Sequence, residues 1–225
     1  MVINTIPVIA IDGPSASGKG TVAQRVAKAL GFHYLDSGAL YRLVALKAMQ
    51  SDADSTDEKI LTDIAKNLNA VFEGANILLE NHDVSDKIRE EACGIAASKI
   101  ATRQTVRAAL MERQRAFRQL PGLVTDGRDM GSVIFPDAIL KIFLTASAET
   151  RAQRRYNQLM EKGINANITD LLRDIQTRDD RDSQRSLAPL QQGADAKLLD
   201  TTSLNIEQAV DAALDWYAKI RNKNT

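Results

Sequence analysis

The sequence predicts an α/β fold, a five-stranded parallel sheet flanked by helices, and three features of its 225 residues carry that prediction. Five short apolar runs are spread along the chain, stretches with helical periodicity lie between them, and the first run ends in a glycine-rich turn that opens straight into a helix. A chain of this length suits one domain with an excursion or two and buries an ample core.

The strands are expected at Pro7 to Ile11, Phe32 to Leu35, Gly122 to Thr125, Ile139 to Leu144 and Ala196 to Leu199. Their apolar residues are continuous, as strands covered on both faces require. Val22, Val26 and Leu30 recur at i, i+4 and i+8, and Ile206, Val210, Leu214 and Tyr217 predict a last helix. Asn205 and Gln208 stand before it at the spacing of a capping pair. Strands alternating with helices imply a parallel sheet whose ligands gather at the carboxyl ends of the strands. Two segments depart from this scheme. In 63–103, Ala70 to Phe72, Ile77 to Glu80 and Asp83 to Val84 predict short antiparallel strands around Gly74, read as an inserted subdomain. The segment 158–186 is charged, rich in arginine and has Gly163 as its sole glycine; it reads as a helical lid.

Composition narrows the function. Lys plus Arg and Asp plus Glu are both 29, so net charge gives no argument for a nucleic-acid partner. Cys93 is the only cysteine and forms no intrachain disulfide; His33 and His82 stand apart without partners at metal-ligand spacing, so no protein metal centre is expected. The apolar stretches are too short to span a membrane and the amino terminus lacks a signal-peptide pattern, so a cytoplasmic protein is expected. Of 17 arginines, 13 lie between Arg103 and Arg185, against two of 12 lysines. A guanidinium matches phosphate oxygens two at a time, whereas an ammonium is a mobile point charge.

After the first strand comes Gly13-Pro14-Ser15-Ala16-Ser17-Gly18-Lys19-Gly20-Thr21, with the glycine and Gly-Lys spacing of a P-loop. Its glycines let successive amides point inward, the helix dipole adds positive character, and Lys19 is placed to reach the β and γ phosphates of a nucleotide. Gly20 occupies the position where a Ser or Thr usually ligates magnesium, and the hydroxyl follows one residue later as Thr21.

After the second strand, Asp36-Ser37-Gly38-Ala39-Leu40-Tyr41-Arg42 opens another helix whose first amides suit an anion, though Asp36 or Ser37 serves equally as an ordinary cap. The third strand ends in Thr125-Asp126-Gly127-Arg128-Asp129-Met130-Gly131, which places Arg128 and Asp129 at a carboxyl end. Arg178, Arg181 and Arg185 are spaced i, i+3, i+7, one helix face with Asp182 beside it. Aimed inward they clamp phosphates; aimed outward they pair with Asp179, Asp180 and Asp182 on a solvated face. Arg151, Arg154 and Arg155 follow the fourth strand, one of them expected over the adenine of ATP, with the choice left open.

Taken in order, GPSASGKGT, LDSGALYR, TDGRDMG and RDDRDSQR make the whole chain resemble the bacterial cytidylate kinases, P-loop nucleoside monophosphate kinases. The resemblance implies transfer of the γ-phosphoryl group of ATP to CMP, with dCMP as a further acceptor, by a monomer whose Mg2+ is held mainly by ATP phosphates and water. It makes the insertion an NMP-binding subdomain. It implies that Ser37, Arg42, Arg128 and Arg185 hold the acceptor phosphate and sugar, that Arg178 and Asp182 lie near the ribose, and that Tyr41 packs nearby. It further implies that Ser98, Arg107 and Asp129 read the cytosine, and a carboxylate does suit the amino donor that uracil lacks. Lys19, Arg128, Arg178, Arg181 and Arg185 are the expected catalytic groups. Two other classes lack their signatures: the one Asn-Lys, Asn222-Lys223, is not followed by the Asp of a guanine reader, and no basic stripe with stacking aromatics marks a nucleic-acid binder. A P-loop kinase for another acceptor, such as UMP, AMP or an alcohol, is the nearest alternative.

Overall fold

A computed structural model describes residues 6–51, 57–73, 76–185 and 187–223. Gly74, the expected turn of the insertion, and Ser186, the last residue of the expected lid, lie outside the described residues. The elements run β1 (Val8–Asp12), α1 (Lys19–Leu30), β2 (His33–Asp36), α2 (Ser37–Gln50), α3 (Glu58–Lys66), β3 (Ala70–Glu73), β4 (Asn76–Leu79), β5 (His82–Asp83), a 3-10 turn (Lys87–Arg89), α4 (Glu91–Ile100) and α5 (Gln104–Ala116). Then come β6 (Leu123–Gly127), a single wide turn (Met130–Ile134), β7 (Leu140–Thr145), α6 (Ala148–Glu161), α7 (Ile168–Ser183), β8 (Lys197–Asp200) and α8 (Ile206–Lys223). They form two compact units: Met1–Leu35 with Phe117–Thr225, and Asp36–Ala116.

The first unit is built on a parallel sheet of order β2-β6-β1-β7-β8. β1 and β6, in the middle, are buried at every residue, which is why their sequences do not alternate. One core joins Ile9, Ile11, Val124, Ile142 and Leu144 of the sheet to Val22 and Val26 of α1 and to Ala209, Ala213 and Tyr217 of α8. β1 has β6 on one side and β7 on the other, so the chain leaves β1 at the point where strand order reverses, the usual ligand position in such sheets.

Each strand ends later than its apolar run. The ladder takes in Asp12 opposite Gly127 and Phe143, Asp126 opposite Ile11, and Thr145 opposite Asp200. The backbone keeps pairing after side-chain hydrophobicity has stopped, so polar residues are held rigidly at the carboxyl ends. The expected stripe of α8 is partly offset: Tyr217 is buried as expected, but Ile206 is 40% exposed, Val210 and Leu214 are half-buried, and the other buried positions are taken by Ala209 and Ala213. Small alanines let α8 pack close to α1, which a pattern search weighted to large side chains does not register. The capping pair does form, with Asn205 and Gln208 each donating its backbone N–H to the other's side chain.

The second unit packs α2, α3, α4 and α5 with a three-stranded antiparallel sheet β3-β4-β5, as the turn pattern predicts. This unit spans Asp36–Ala116 and takes in α2, α3 and α5 in full. Leu40, Leu43, Val44, Leu61, Ile88, Val106 and Leu110 form its buried interior.

Gly13 is wedged in the first unit. Its N–H donates to Gly127 O at 3.3 Å, and a Cβ built on it would lie 2.0 Å from Leu144 O, a backbone atom of β7. Gly13→Ala therefore forces strands apart, with an expected loss of about 3 kcal/mol or more. Chemical denaturation of the variant checks this; a midpoint within a tenth of wild type would refute the wedge.

Candidate active site

The turn from β1 into α1 carries two left-handed residues, Ala16 (φ 57°) and Gly18 (φ 91°), which curl the backbone into a concave row of amides. Among helix starts, Asp36 caps α2, Asp57 caps α3, Ser147 caps α6 and Asn167 caps α7, whereas α1 has no side-chain cap and no acidic residue in its first turn. Its leading N–H groups and dipole are thus left for an anion. Lys19 Nζ donates to Pro14 O at 3.3 Å and lies 3.9 Å from Asp126 Oδ2. Asp126, buried at the end of β6, accepts from Tyr34 Oη at 2.7 Å.

A loop whose amides converge must turn its carbonyls away, and two arginines of α6 receive them. Arg151 donates to Ser15 O at 3.1 Å and Arg154 to Ser17 O at 3.1 Å. Arg154 also donates to Thr201 O at 2.6 Å and Thr201 Oγ1 at 3.0 Å, tying the loop to the end of β8. These contacts engage the forked edges of Arg151 and Arg154 in backbone support. Arg155 lies half-buried on the same helix.

Beside the loop stands a charged cluster. Arg128 donates through Nε to Asp182 Oδ2 at 2.6 Å and through a terminal nitrogen to Ser15 Oγ at 2.7 Å. Arg185 also binds Asp182 closely. Burial alone would raise the carboxyl of Asp182, but the charges of Arg128 and Arg185 prevail and hold it below the ordinary range. Arg185 is a correction to the expected helix face: α7 ends at Ser183, so Arg185 follows the helix and folds back onto Asp182, while Arg178 and Arg181 remain within it. Asp179 pairs with Arg151 of α6.

The loop after β6 is fixed from below by Asp12, which sequence inspection does not single out. Its two carboxylate oxygens accept from Met130 N and Gly131 N, both at 2.8 Å, immediately after the buried Asp129. The available signal was a lone acid closing an apolar central strand. Burial pushes the Asp12 carboxyl up to about 6, with the two amides acting in the opposite direction.

In the second unit, Asp36 caps α2 by accepting from Ala39 N at 3.1 Å, which leaves Ser37 as the first helical residue, buried. Tyr41 and Arg42 are half-buried on α2; Arg42 donates to Ile88 O at 2.8 Å, and its carbonyl accepts from the buried Cys93 thiol. Ser98 on α4 and Arg107 on α5 flank the turn between those helices, where Arg107 meets Ala101 O at 3.4 Å. His33 and His82 are exposed and engage backbone carbonyls. Among the described residues there is no group of three His, Cys, Asp or Glu placed to hold a metal, and no helix is long and apolar enough to cross a membrane.

A family model for cytidylate kinase matches residues 9–219. The chain belongs to the cytidylate kinase family. Curated relatives named cytidylate kinase include that of Nitrosomonas europaea, 62% identical over 216 residues covering 96% of this chain and 97% of the relative. That of Cupriavidus necator is 58% identical with the same coverage, and that of Bordetella pertussis 59% identical over 94% of this chain and 95% of the relative. Among solved structures, a gluconokinase from Sinorhizobium meliloti aligns with 97% of this chain and 95% of its own at TM-score 0.50 and 17% identity, a likeness of fold. As a member of the cytidylate kinase family the chain is a nucleoside monophosphate kinase, with ATP as co-substrate.

The carboxyl of Asp12 sets a pH dependence on this kinase scaffold. With a folded value near 6 against 3.8 for the free group, the folded state binds the proton more tightly, so the stability Asp12 contributes is complete below about pH 4 and is lost as pH rises through 6. Relative to Asp12→Asn, wild-type unfolding free energy should fall by on the order of 2–3 kcal/mol between pH 4 and pH 7. Urea titrations of both proteins at the two pH values measure it, and a difference that does not change with pH would contradict the assignment.

Proposed function

We propose that the chain transfers the γ-phosphoryl group of ATP to CMP and to dCMP, as a cytoplasmic monomer, with Gly13 to Thr21 cradling ATP. The observation that carries this reading is the uncapped start of α1, with Lys19 at its mouth and Asp126 behind it, in a chain of the cytidylate kinase family. By its family resemblance the chain is assigned Ser37, Tyr41, Arg42, Ser98, Arg107, Arg128, Asp129, Arg178, Asp182 and Arg185 as acceptor-binding residues. The segment 63–103 serves as the NMP-binding subdomain and 158–186 as the lid.

A monophosphate oxygen is already anionic at neutral pH, so no general base is needed and the protein's tasks are alignment and neutralisation of charge. Lys19, Arg128, Arg178, Arg181 and Arg185 supply positive charge. Asp182 orients two of them in advance, since its carboxylate clasps Arg128 and Arg185. Closure of the lid keeps water, a competing nucleophile, away from the migrating group. Asp126, whose Oδ2 lies 3.9 Å from Lys19 Nζ, would set a carboxylate near an Mg2+ held chiefly by phosphates and water. Bound there, the ion would neutralise phosphate charge. Asp129 accepts from the amino group of cytosine; uracil would set a carbonyl oxygen against it, leaving a desolvated acceptor unpaired at a cost on the order of 1–3 kcal/mol.

Two measurements test these roles. Lys19→Ala should fold normally by circular dichroism and lose about a thousandfold or more in turnover, because its ammonium is placed at the migrating charge; near-normal ADP release would remove Lys19 from catalysis. Asp129→Ala should lose more activity with CMP than with UMP in parallel ADP-release assays with CMP, dCMP, UMP and AMP. Equal losses would take base reading away from Asp129, and turnover with CMP but not dCMP would restrict the acceptor to the ribonucleotide.

A further inference from the structure

Ser15 is gripped twice, and both grips lead to α7. Its hydroxyl accepts from Arg128 at 2.7 Å, and Arg128 binds Asp182. Its carbonyl accepts from Arg151 at 3.1 Å, and Arg151 binds Asp179 through both terminal nitrogens, at 3.1 and 2.5 Å. Asp179 and Asp182 stand one turn apart on α7. Arg151 also donates through Nε to Ala146 O at 2.9 Å, at the end of β7. The guanidinium therefore joins three elements: the backbone of the strand end, the backbone of the phosphate loop and a carboxylate of α7.

We propose that Arg151 and Asp179 are a positioning pair for phosphoryl transfer, which locks α7 to the outward carbonyl of the phosphate loop. The pair sets Arg178 and Arg181, which flank Asp179 on α7, relative to the amides that cradle phosphate. The proposal rests on the reading of α7 as part of the lid. Arg151 is 5% exposed, so its own donors are shielded and its bonds to the Ala146 and Ser15 carbonyls are not readily replaced by solvent. The task demands arginine. A lysine reaches one acceptor at a time, whereas the planar fork reaches Ala146, Ser15 and Asp179 along fixed directions. The coupling runs both ways: displacement of α7 pulls on Ser15 O, and rotation of the Ser15 peptide swings an amide plane that faces the nucleotide.

The test is a double-mutant cycle with Arg151→Lys and Asp179→Asn, reading kcat and KM for ATP per folded molecule alongside the thermal midpoint. Each single variant should lower kcat about tenfold or more and raise KM for ATP, since a displacement near 1 Å in an aligned site has effects of that order. The double variant should be no worse than the poorer single one, because both changes break the same link. Asp170→Asn, which removes an exposed pair with Arg173 on the same helix, should leave kcat unchanged and controls for damage to α7. A lower thermal midpoint with kcat and KM for ATP untouched would show a scaffold role and overturn the proposal, as would additive losses in the cycle. If Arg151→Lys does not fold, Asp179→Asn decides, because its carboxylate lies partly in solvent. Arg178→Ala and Arg181→Ala separate the two readings. If they cost turnover while the Arg151 and Asp179 variants do not, the positioning pair alone falls; if they cost nothing, the lid reading falls and takes the pair with it.

Discussion

The phosphate loop imposes one constraint on everything around it: backbone amides cannot all point at an anion unless the carbonyls between them find partners on the outside. In water those partners cost nothing, but here the loop is packed against a strand so closely that Gly13 has no room for a Cβ beside Leu144 O. The carbonyls of Ser15 and Ser17 are instead received by Arg151 and Arg154. Those arginines reach α7 and the end of β8, so the loop's conformation and the positions of both elements are held by the same hydrogen bonds. Buried carbonyls without such donors would cost on the order of 1–3 kcal/mol each.

Two buried carboxylates near the loop show how neighbouring charge decides whether burial prevails. Asp12 and Asp182 are both nearly inaccessible, yet their proton affinities move in opposite directions. Asp12 is met by two neutral backbone amides, which do not offset the cost of removing a charge from water. Asp182 is met by two guanidinium groups, which do. The first therefore acts as a hydrogen-bond anchor for the loop carrying Asp129. The second stays ionised and aligns the cations beside the phosphate loop.

Much of this was legible in the sequence, and what was missed has a common cause. The five strands were readable because a parallel sheet buries both faces and leaves unbroken apolar runs; their last residues were not, since Asp12, Asp126 and Thr145 pair through backbone alone. The P-loop was readable because its geometry depends on glycine at fixed spacing. The offset of α8 was hidden because Ala209 and Ala213 gain their burial from close approach, which carries little hydrophobic signal. The i, i+3, i+7 spacing does not reveal that α7 stops at Ser183, beyond which Arg185 turns back to bind Asp182. The link between Arg151 and Asp179 spans 28 residues and two helices, and no local pattern encodes it.

The crowding of arginine between residues 103 and 185 then has two explanations, and three of those arginines carry the second. Phosphate recognition was the reading from composition alone. Yet Arg118 donates to Ile6 O, Arg151 to Ala146 O and Ser15 O, and Arg154 to Ser17 O and Thr201 O. In these cases the guanidinium serves backbone carbonyls, joined at Arg118 and Arg151 by a carboxylate, and its planar, multiply directed donors are as well suited to that as they are to phosphate. A lysine at any of these positions would preserve the charge and lose the geometry. Arginine richness in a P-loop kinase of this kind thus reflects a loop that must be braced from outside as much as a substrate that must be held from within, and the two demands meet at Ser15.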